Sequence, residues 1–118
     1  NSAEANMKVV KNIPITEDSA TLIFREIYES IRQIGDAKWW LLGYEPVSSH
    51  EVSLEILKEM DVKDKVKLNY LMRFKKIRND ANYRGYKVTA SQANEILDFW
   101  NSCGKEILAA LTKSANRN

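Results

Sequence analysis

A long amphipathic run between Ala20 and Leu41 limits the possible folds of this chain more than any other segment. Its apolar side chains recur every three or four residues, which is the spacing of one face of an α-helix. Thr16 or Ser19 can cap the start of this helix. We expect it to end near Leu42, because Gly43 and a turn through Pro46 follow. The positions on its predicted buried face are Ala20, Ile23, Phe24, Ile27, Ile31, Ile34, Ala37, Trp40 and Leu41.

Two further stretches show the same spacing. The first covers residues 48–60 and begins with a capping box, in which Ser48 and Glu51 can satisfy each other's free backbone amides. The second covers residues 62–83 and is rich in lysine and arginine. Its predicted buried face consists of Val66, Tyr70, Phe74, Ile77 and Ala81.

The last helical stretch opens with another capping box, formed by Thr89 and Gln92. Apolar residues then continue at helical spacing to Leu111. Gly104 lies in the middle of this stripe, where the missing side chain is expected to let a neighbouring helix approach closely.

Four amphipathic helices joined by short loops predict an all-α fold, specifically an up-and-down four-helix bundle. We assign this bundle to residues 16–114. Residues 1–15 are predicted to form an N-terminal arm, with a short extended piece between Lys8 and Ile15. A chain of 118 residues is long enough to bury one substantial core, so a single domain is expected.

Several classes of protein are disfavoured by composition. The only cysteine is Cys103 and the only histidine is His50, so we expect no internal disulfide, no zinc site and no cofactor. No stretch approaches the roughly 20 apolar residues of a membrane span. The first residues lack the charged start and apolar run of a signal peptide. We therefore predict a cytoplasmic protein that does not contact a membrane.

Positive charge is concentrated in one segment. Residues 58–87 contain ten Lys or Arg against four Asp or Glu, a local charge of +6, whereas the remaining residues carry a charge of −4. Such a segment favours a polyanionic partner such as RNA, a nucleotide or DNA. A basic helix face that is only solvated is the other interpretation.

The end of the third helix holds the least generic sequence, from Lys75 to Tyr86. At 100° per residue, Arg78 falls at the border of the predicted buried face, with Asn82 one turn further on. The planar guanidinium of Arg78 matches phosphate oxygens. The alternative is that Arg78 caps the carbonyls of a neighbouring helix or extends from the core to solvent. Asp80 and Arg84 are predicted to form a surface ion pair.

The order of these motifs resembles the HEPN domain, the helical domain named for nucleotide binding in higher eukaryotes and prokaryotes. The resemblance extends over about residues 19–111. A long helix is followed by Gly-Tyr-x-Pro, then by Ser-His at the start of a helix, and a basic helix ends in Arg-Asn-x-Ala-x-Tyr. These motifs correspond to Gly43, Tyr44, Pro46, Ser49, His50, Arg78, Asn79, Ala81 and Tyr83.

Many HEPN proteins are metal-independent ribonucleases whose signature is Arg, a polar residue and, a few residues later, His. Arg78 and Asn79 match the first two positions, whereas Tyr83 stands nearest to the place of the histidine. An imidazole can accept and donate a proton near neutral pH, whereas an unperturbed tyrosine titrates near pH 10. The resemblance also implies a homodimer in which two copies of the motif face each other.

Three functions follow from this reading. The first is a non-catalytic nucleotide- or RNA-binding module that works beside a nucleotidyltransferase or a defence partner of the toxin–antitoxin kind. Its binding residues would be Lys75, Lys76, Arg78, Asn79, Asn82 and Arg84. The second is a ribonuclease with an altered site, whose catalytic residues would be Arg78, Asn79 and Tyr83. The third is a protein-interaction adaptor that uses exposed aromatic side chains, with Trp39 or Trp40 as candidates.

Overall fold

The computed structural model describes residues 2–43 and 50–116, and these residues are all-helical, with no β-strand among them. The α-helices are α1 (Ser2–Val10), α2 (Ala20–Leu41), α3 (His50–Leu57), α4 (Tyr70–Arg84), α5 (Ala90–Phe99) and α6 (Lys105–Asn116). A 3₁₀ turn, Lys65–Asn69, leads directly into α4, and a π-helical turn, Trp100–Gly104, joins α5 to α6 without a break.

The central element is α2, whose predicted bounds are confirmed; its predicted buried face is confirmed up to Ile34, whereas Trp40, which we placed on that face, is 60% exposed. The helix ends at Leu41, and Gly43 follows with a φ of +88°, a conformation that favours glycine. Its apolar stripe is buried from Ala20 to Ile34, while Trp40 near its end is exposed and Trp39 is half-buried. The other helices pack around this stripe.

The N-terminal segment differs from the extended piece that we predicted. Ser2–Val10 is a helix, and it packs on α2 with Ala3, Met7 and Val10 buried in the common core. These three side chains recur every three or four residues, which places them on one helix face. The first 15 residues therefore contribute to the core.

Two contacts show that α4 runs antiparallel to α2. Near the start of α2, Nη2 of Arg25 lies 3.5 Å from Oδ1 of Asn82, which is near the end of α4. Tyr28 follows Arg25 by about one turn of α2, and Arg78 precedes Asn82 by about one turn of α4. The ring of Tyr28 lies beneath the guanidinium of Arg78, so the two helices run in opposite directions.

The continuous helix formed by α5 and α6 runs parallel to α2. The hydroxyl oxygen of Thr21 accepts a hydrogen bond from the backbone N–H of Val88 at 3.1 Å, so the two helices start side by side. At their other ends, Leu41 and Leu111 line the same cavity. Ala3 lines it as well, so α1 runs antiparallel to α2.

The directions of the helices differ from the predicted up-and-down order in one respect. The elements that alternate in direction are α1, α2, α4 and the α5–α6 pair, whereas the predicted set omitted α1 and included α3. At eight residues, α3 is short, and it packs against the second half of α2 near Gly35.

The buried face of the third predicted helix is also different. The α-helix begins only at Tyr70, after the 3₁₀ turn, and both Val66 and Tyr70 are exposed, with exposed fractions of 72% and 44%. Leu68, Leu71 and Phe74 face the core instead. Of the predicted face, Phe74 is buried, and Ile77 and Ala81 are partly buried against the core.

Gly104 does not serve a neighbouring helix, contrary to our expectation. A Cβ atom on Gly104 would lie 2.6 Å from Cε3 of Trp100, so the glycine makes room for an indole ring of its own helix. The close approach of two helices occurs at Gly35, where a Cβ would lie 2.1 Å from the carbonyl oxygen of Ser53 in α3.

The predicted capping box before α5 is confirmed. The Thr89 side chain accepts a hydrogen bond from the backbone N–H of Gln92 at 3.1 Å, and Oε1 of Gln92 accepts one from the N–H of Thr89 at 3.0 Å. The predictions for Tyr44, Pro46, Ser48 and Ser49, and for the side chains of His50 and Glu51, lie outside the described residues.

Candidate functional site

Four of the predicted site residues share one face of α4. Lys75, Arg78, Asn79 and Asn82 recur at intervals of three or four residues, so they share one face of the helix. Arg78 and Asn82 contact α2 from this face. Three of them are half-buried, and Asn82 at the helix end is exposed. The predicted position of Arg78 at the border of the buried face is confirmed.

Arg78 lies over an aromatic ring. Its guanidinium carbon is 5.3 Å from the centroid of the Tyr28 ring, which is the geometry of a cation–π contact. Tyr28 is almost completely buried, and this burial raises the pKa of its hydroxyl to about 12, although the charge of Arg78 acts in the opposite direction. The ring contacts the flat face of the guanidinium, so the N–H groups at its edge are directed elsewhere.

No carboxylate in the described part of the chain neutralises the charge of Arg78. Across residues 2–43 and 50–116, Arg78 forms no ion pair. Carboxylates are present nearby, since Glu29 is one residue away from Tyr28, but Glu29 pairs with Arg32. Arg78 is therefore a partly buried cation whose donors can serve a ligand.

Arg25 is a second cation on this surface, and the sequence analysis missed it. Its Nη2 donates to Oδ1 of Asn82 at 3.5 Å, which places Arg25 one turn away from the Arg78–Tyr28 contact. Arg25 is three residues before Tyr28, so the two share one face of α2. This spacing indicates that Arg25 lies near Arg78 only when the antiparallel packing of α2 and α4 is known.

The other arginine of α2 is fully engaged within the protein. Arg32 pairs with Glu29 through Nε at 3.0 Å and with Asp36 through Nη1 at 2.9 Å. The hydrogen bond to Glu29 raises the pKa of Arg32 further above its ordinary value. Asp36 also accepts a hydrogen bond from the buried hydroxyl of Ser53, which ties this network to α3. Of the two arginines of α2, Arg25 is thus the one whose charge is left for a ligand.

The remaining predicted cations, Lys76 and Arg84, lie on a different face of α4. Both bind Asp80: Nζ of Lys76 lies 3.1 Å from Oδ2, and Nε of Arg84 lies 3.9 Å from Oδ1. The predicted pair of Asp80 and Arg84 is confirmed. The structure therefore divides the six predicted binding residues into four that share the helix face of Arg78 and two that flank a carboxylate.

Tyr83 and Arg78 are not brought together within one chain. The helix continues through Arg84, so a separation of five positions leaves the two side chains about 140° apart around the helix axis. Tyr83 is 80% exposed, and Tyr86 beyond the helix end is exposed too. A site that contains both Arg78 and Tyr83 needs a second copy of the chain.

In the described part of the chain, no group of three His, Cys, Asp or Glu side chains is placed to hold a metal ion. Nor does that part contain a helix with the length and apolar character needed to cross a membrane. Comparison with protein-family models, with curated proteins and with solved structures finds no match to this chain.

Proposed function

We propose that this chain is a HEPN-like module that binds RNA or a nucleotide through the surface between α2 and α4. The observation that carries the proposal is the state of Arg78, which is partly buried, held on the Tyr28 ring and without an ion pair in the described residues. The resemblance of the motif order to HEPN domains supports the same ligand class.

The arrangement of the two arginines suits phosphate oxygens. Tyr28 fixes the plane of the Arg78 guanidinium, so less side-chain freedom is lost when its edge donates two hydrogen bonds to an anion. Arg25 and Arg78 lie about one helical turn apart along the surface where α2 and α4 pack. The pair can therefore contact neighbouring phosphate oxygens, while Asn79 and Asn82 supply neutral donors.

Aromatic side chains favour a nucleic acid or nucleotide over a simple anion. Tyr83 and Tyr86 expose most of their surface at the end of α4, within two turns of Arg78. Exposed tyrosine rings stack on bases, and such stacking contributes about 1–3 kcal/mol per base. Lys76 and Arg84 add long-range attraction, reduced by Asp80 between them.

The experiment that tests the proposal compares two arginines of the same helix. Fluorescence anisotropy measures the binding of a labelled single-stranded RNA and of labelled ATP to the wild type, to Arg78→Ala and to Arg73→Ala. Arg73 is the matched control, because its guanidinium is already held by both oxygens of Glu95, at 2.7 and 3.1 Å. Circular dichroism checks that each variant is folded.

We expect Arg78→Ala to weaken binding about tenfold or more, the size of a lost hydrogen-bonded charge contact. The dependence of affinity on salt should fall by about one unit of slope. Arg73→Ala should bind as the wild type does. Unchanged affinity in Arg78→Ala, or an equal loss in Arg73→Ala, would remove the proposal.

The same protein samples test the second candidate function, a ribonuclease with an altered site. The length of the RNA is measured on a gel after incubation without metal. Cleavage that is lost in both Arg78→Ala and Tyr83→Phe, and restored when those two variants are mixed, would establish an active site built from two chains. Such restoration is expected only of a dimer, since one copy supplies Arg78 and the other Tyr83.

A further inference from the structure

A second surface with an excess of positive charge lies between α1 and the helix formed by α5 and α6. It is a groove of about 810 Å³. Its floor is apolar: Met7 and Trp100 are buried there, and Leu108 and Ala109 continue the apolar lining along α6. None of the residues in the proposed RNA site contributes to it.

Four lysines stand around this floor, at positions 8, 11, 105 and 113. One acidic residue, Glu4, accompanies them, so the groove carries an excess of three positive charges. The lysines are not evenly spread. Side-chain contact with Lys105 lowers the pKa of the Lys11 ammonium, and desolvation and the repulsion between the two positive charges act in the same direction.

We propose that this groove binds a single-chain aliphatic carboxylate, with the carboxylate between Lys11 and Lys105 and the chain along Met7, Trp100 and Leu108. An anion placed between the two ammonium groups replaces their repulsion with two ion pairs. The aliphatic chain covers the apolar surface of Leu108 and Ala109, the part of the floor that is in contact with water.

The dimensions of the groove fit such a ligand. A volume of about 810 Å³ lies within the range of roughly 300–1,000 Å³ that is common for small-molecule sites. Helical rise makes the distance along α6 from Lys105 to Lys113 about 12 Å, which an extended decyl chain matches. The pairing of two lysines at one end suits a ligand with one charged head.

The shape of the floor depends on the π-helical turn. Trp100 begins this turn and Gly104 ends it, and the indole ring occupies the space that a side chain on Gly104 would fill. Turns of this kind are often found at functional sites. Among the described residues, Trp100 is the one aromatic residue that lines the groove, and only 2% of it is exposed, so the groove offers no ring face on which a base could stack. Its accessible apolar surface comes from Leu108 and Ala109, which suits an aliphatic chain better than a nucleic acid.

The test uses decanoate as the probe and methionine methyl groups as the reporters. The full-length protein is labelled with ¹³C on its three methionine methyls and titrated with decanoate below its micelle concentration. Met7 lines the groove, whereas Met60 and Met72 lie elsewhere and serve as internal controls. We expect a saturable shift of the Met7 signal only, and a matching saturable heat in calorimetry.

Two sets of comparisons decide the role of the charge and of the chain. Decanol has the chain without the carboxylate, and acetate has the carboxylate without the chain; both should bind at least tenfold more weakly than decanoate. The double variant Lys11→Met, Lys105→Met should also lose about tenfold, whereas Lys65→Met, an exposed lysine outside the groove, should lose nothing.

The proposal is overturned if the Met7 signal does not move, if all three methionine signals move together, or if decanol binds as tightly as decanoate. It is also overturned if the Met7 signal responds to the labelled RNA or to an acidic peptide and not to decanoate. None of these results depends on Arg78, so the outcome is separate from that of the RNA-binding test.

Discussion

Replacing Gly35 with alanine should destabilise the protein strongly, although alanine is the better helix former. Gly35 lies in the middle of α2, and α3 packs directly on it. A Cβ atom at this position would lie 2.1 Å from the carbonyl oxygen of Ser53 and 2.7 Å from its carbonyl carbon. Both are backbone atoms, so no side chain can rotate away to relieve the overlap, and α3 itself must move by more than an ångström.

The two opposing effects can be compared in size. Helix propensity favours alanine over glycine by about 1 kcal/mol. Overpacking of a close helix contact costs roughly 1–3 kcal/mol. The displacement of α3 also separates the Ser53 hydroxyl from the Asp36 carboxylate, and a hydrogen bond to a charged group contributes roughly 1.5–3 kcal/mol. We expect Gly35→Ala to lower the free energy of unfolding by about 3 kcal/mol.

For a chain of this length, that change corresponds to a melting temperature about 12 °C lower. The measurements are thermal unfolding followed by circular dichroism and urea unfolding at 25 °C. Gly85→Ala is the matched control. Gly85 has a φ of +73° and open space where a Cβ would lie, so we expect a loss of only about 1 kcal/mol. A Gly35→Ala variant as stable as the wild type, or more stable, would refute the argument from close packing.

Two further predictions concern stability. Thr89→Ala removes the capping box of α5 and should lower the melting temperature by about 4 °C, whereas Thr89→Ser should retain most of the wild-type value in calorimetry. Burial raises the pKa of Tyr28 to about 12, so its proton is held more tightly in the folded protein than in the unfolded chain, where it titrates near pH 10. This contribution is fully present below pH 10 and is lost as the pH rises towards 12. Urea unfolding from pH 8 to pH 11.5 should show a decline that is smaller in Tyr28→Phe; equal declines in the two proteins would contradict the burial argument.

The elements that could be predicted are those whose signals are local. The bounds of α2 follow from one uninterrupted stripe and from a glycine that adopts a positive φ directly after it. The start of α5 follows from Thr89 and Gln92, whose reciprocal hydrogen bonds involve residues only three apart. Such contacts form in the same way whatever the rest of the chain does, so the sequence pattern suffices.

The phase of α4 could not be predicted in the same way, because two apolar stripes compete in that stretch. One contains Val66 and Tyr70, the other contains Leu68 and Leu71, and Phe74 has helical spacing to both. Leu71 faces the core because the 3₁₀ turn changes the rotation of the chain before α4 begins. The choice between the stripes is made by tertiary packing, which periodicity does not contain.

The candidate RNA-binding surface shows the same division. The position of Arg78 at the edge of the buried face follows from helix geometry alone, because it depends only on residues of α4. Its contact with Tyr28 and the proximity of Arg25 involve residues about 50 positions away. These contacts depend on the antiparallel packing of α2 and α4. In the predicted up-and-down bundle the same two helices were the first and the third, which would have made them parallel.

Charge counted along the chain is therefore a poor guide to charge on a surface. Within residues 58–87, the basic side chains of Arg73, Lys76, Arg84 and Lys87 lie against carboxylates, which reduces the field that a net charge of +6 suggests. The rest of the chain has a net charge of −4, yet four of its eight basic residues meet in the groove between α1 and α6. Two of the four come from each end of the chain, nearly 100 residues apart, and no window along the sequence contains them together. The electric field at a ligand depends on distances in space and not on positions in the sequence. Residues outside 58–87, which are acidic in total, can therefore form a groove with an excess of positive charge.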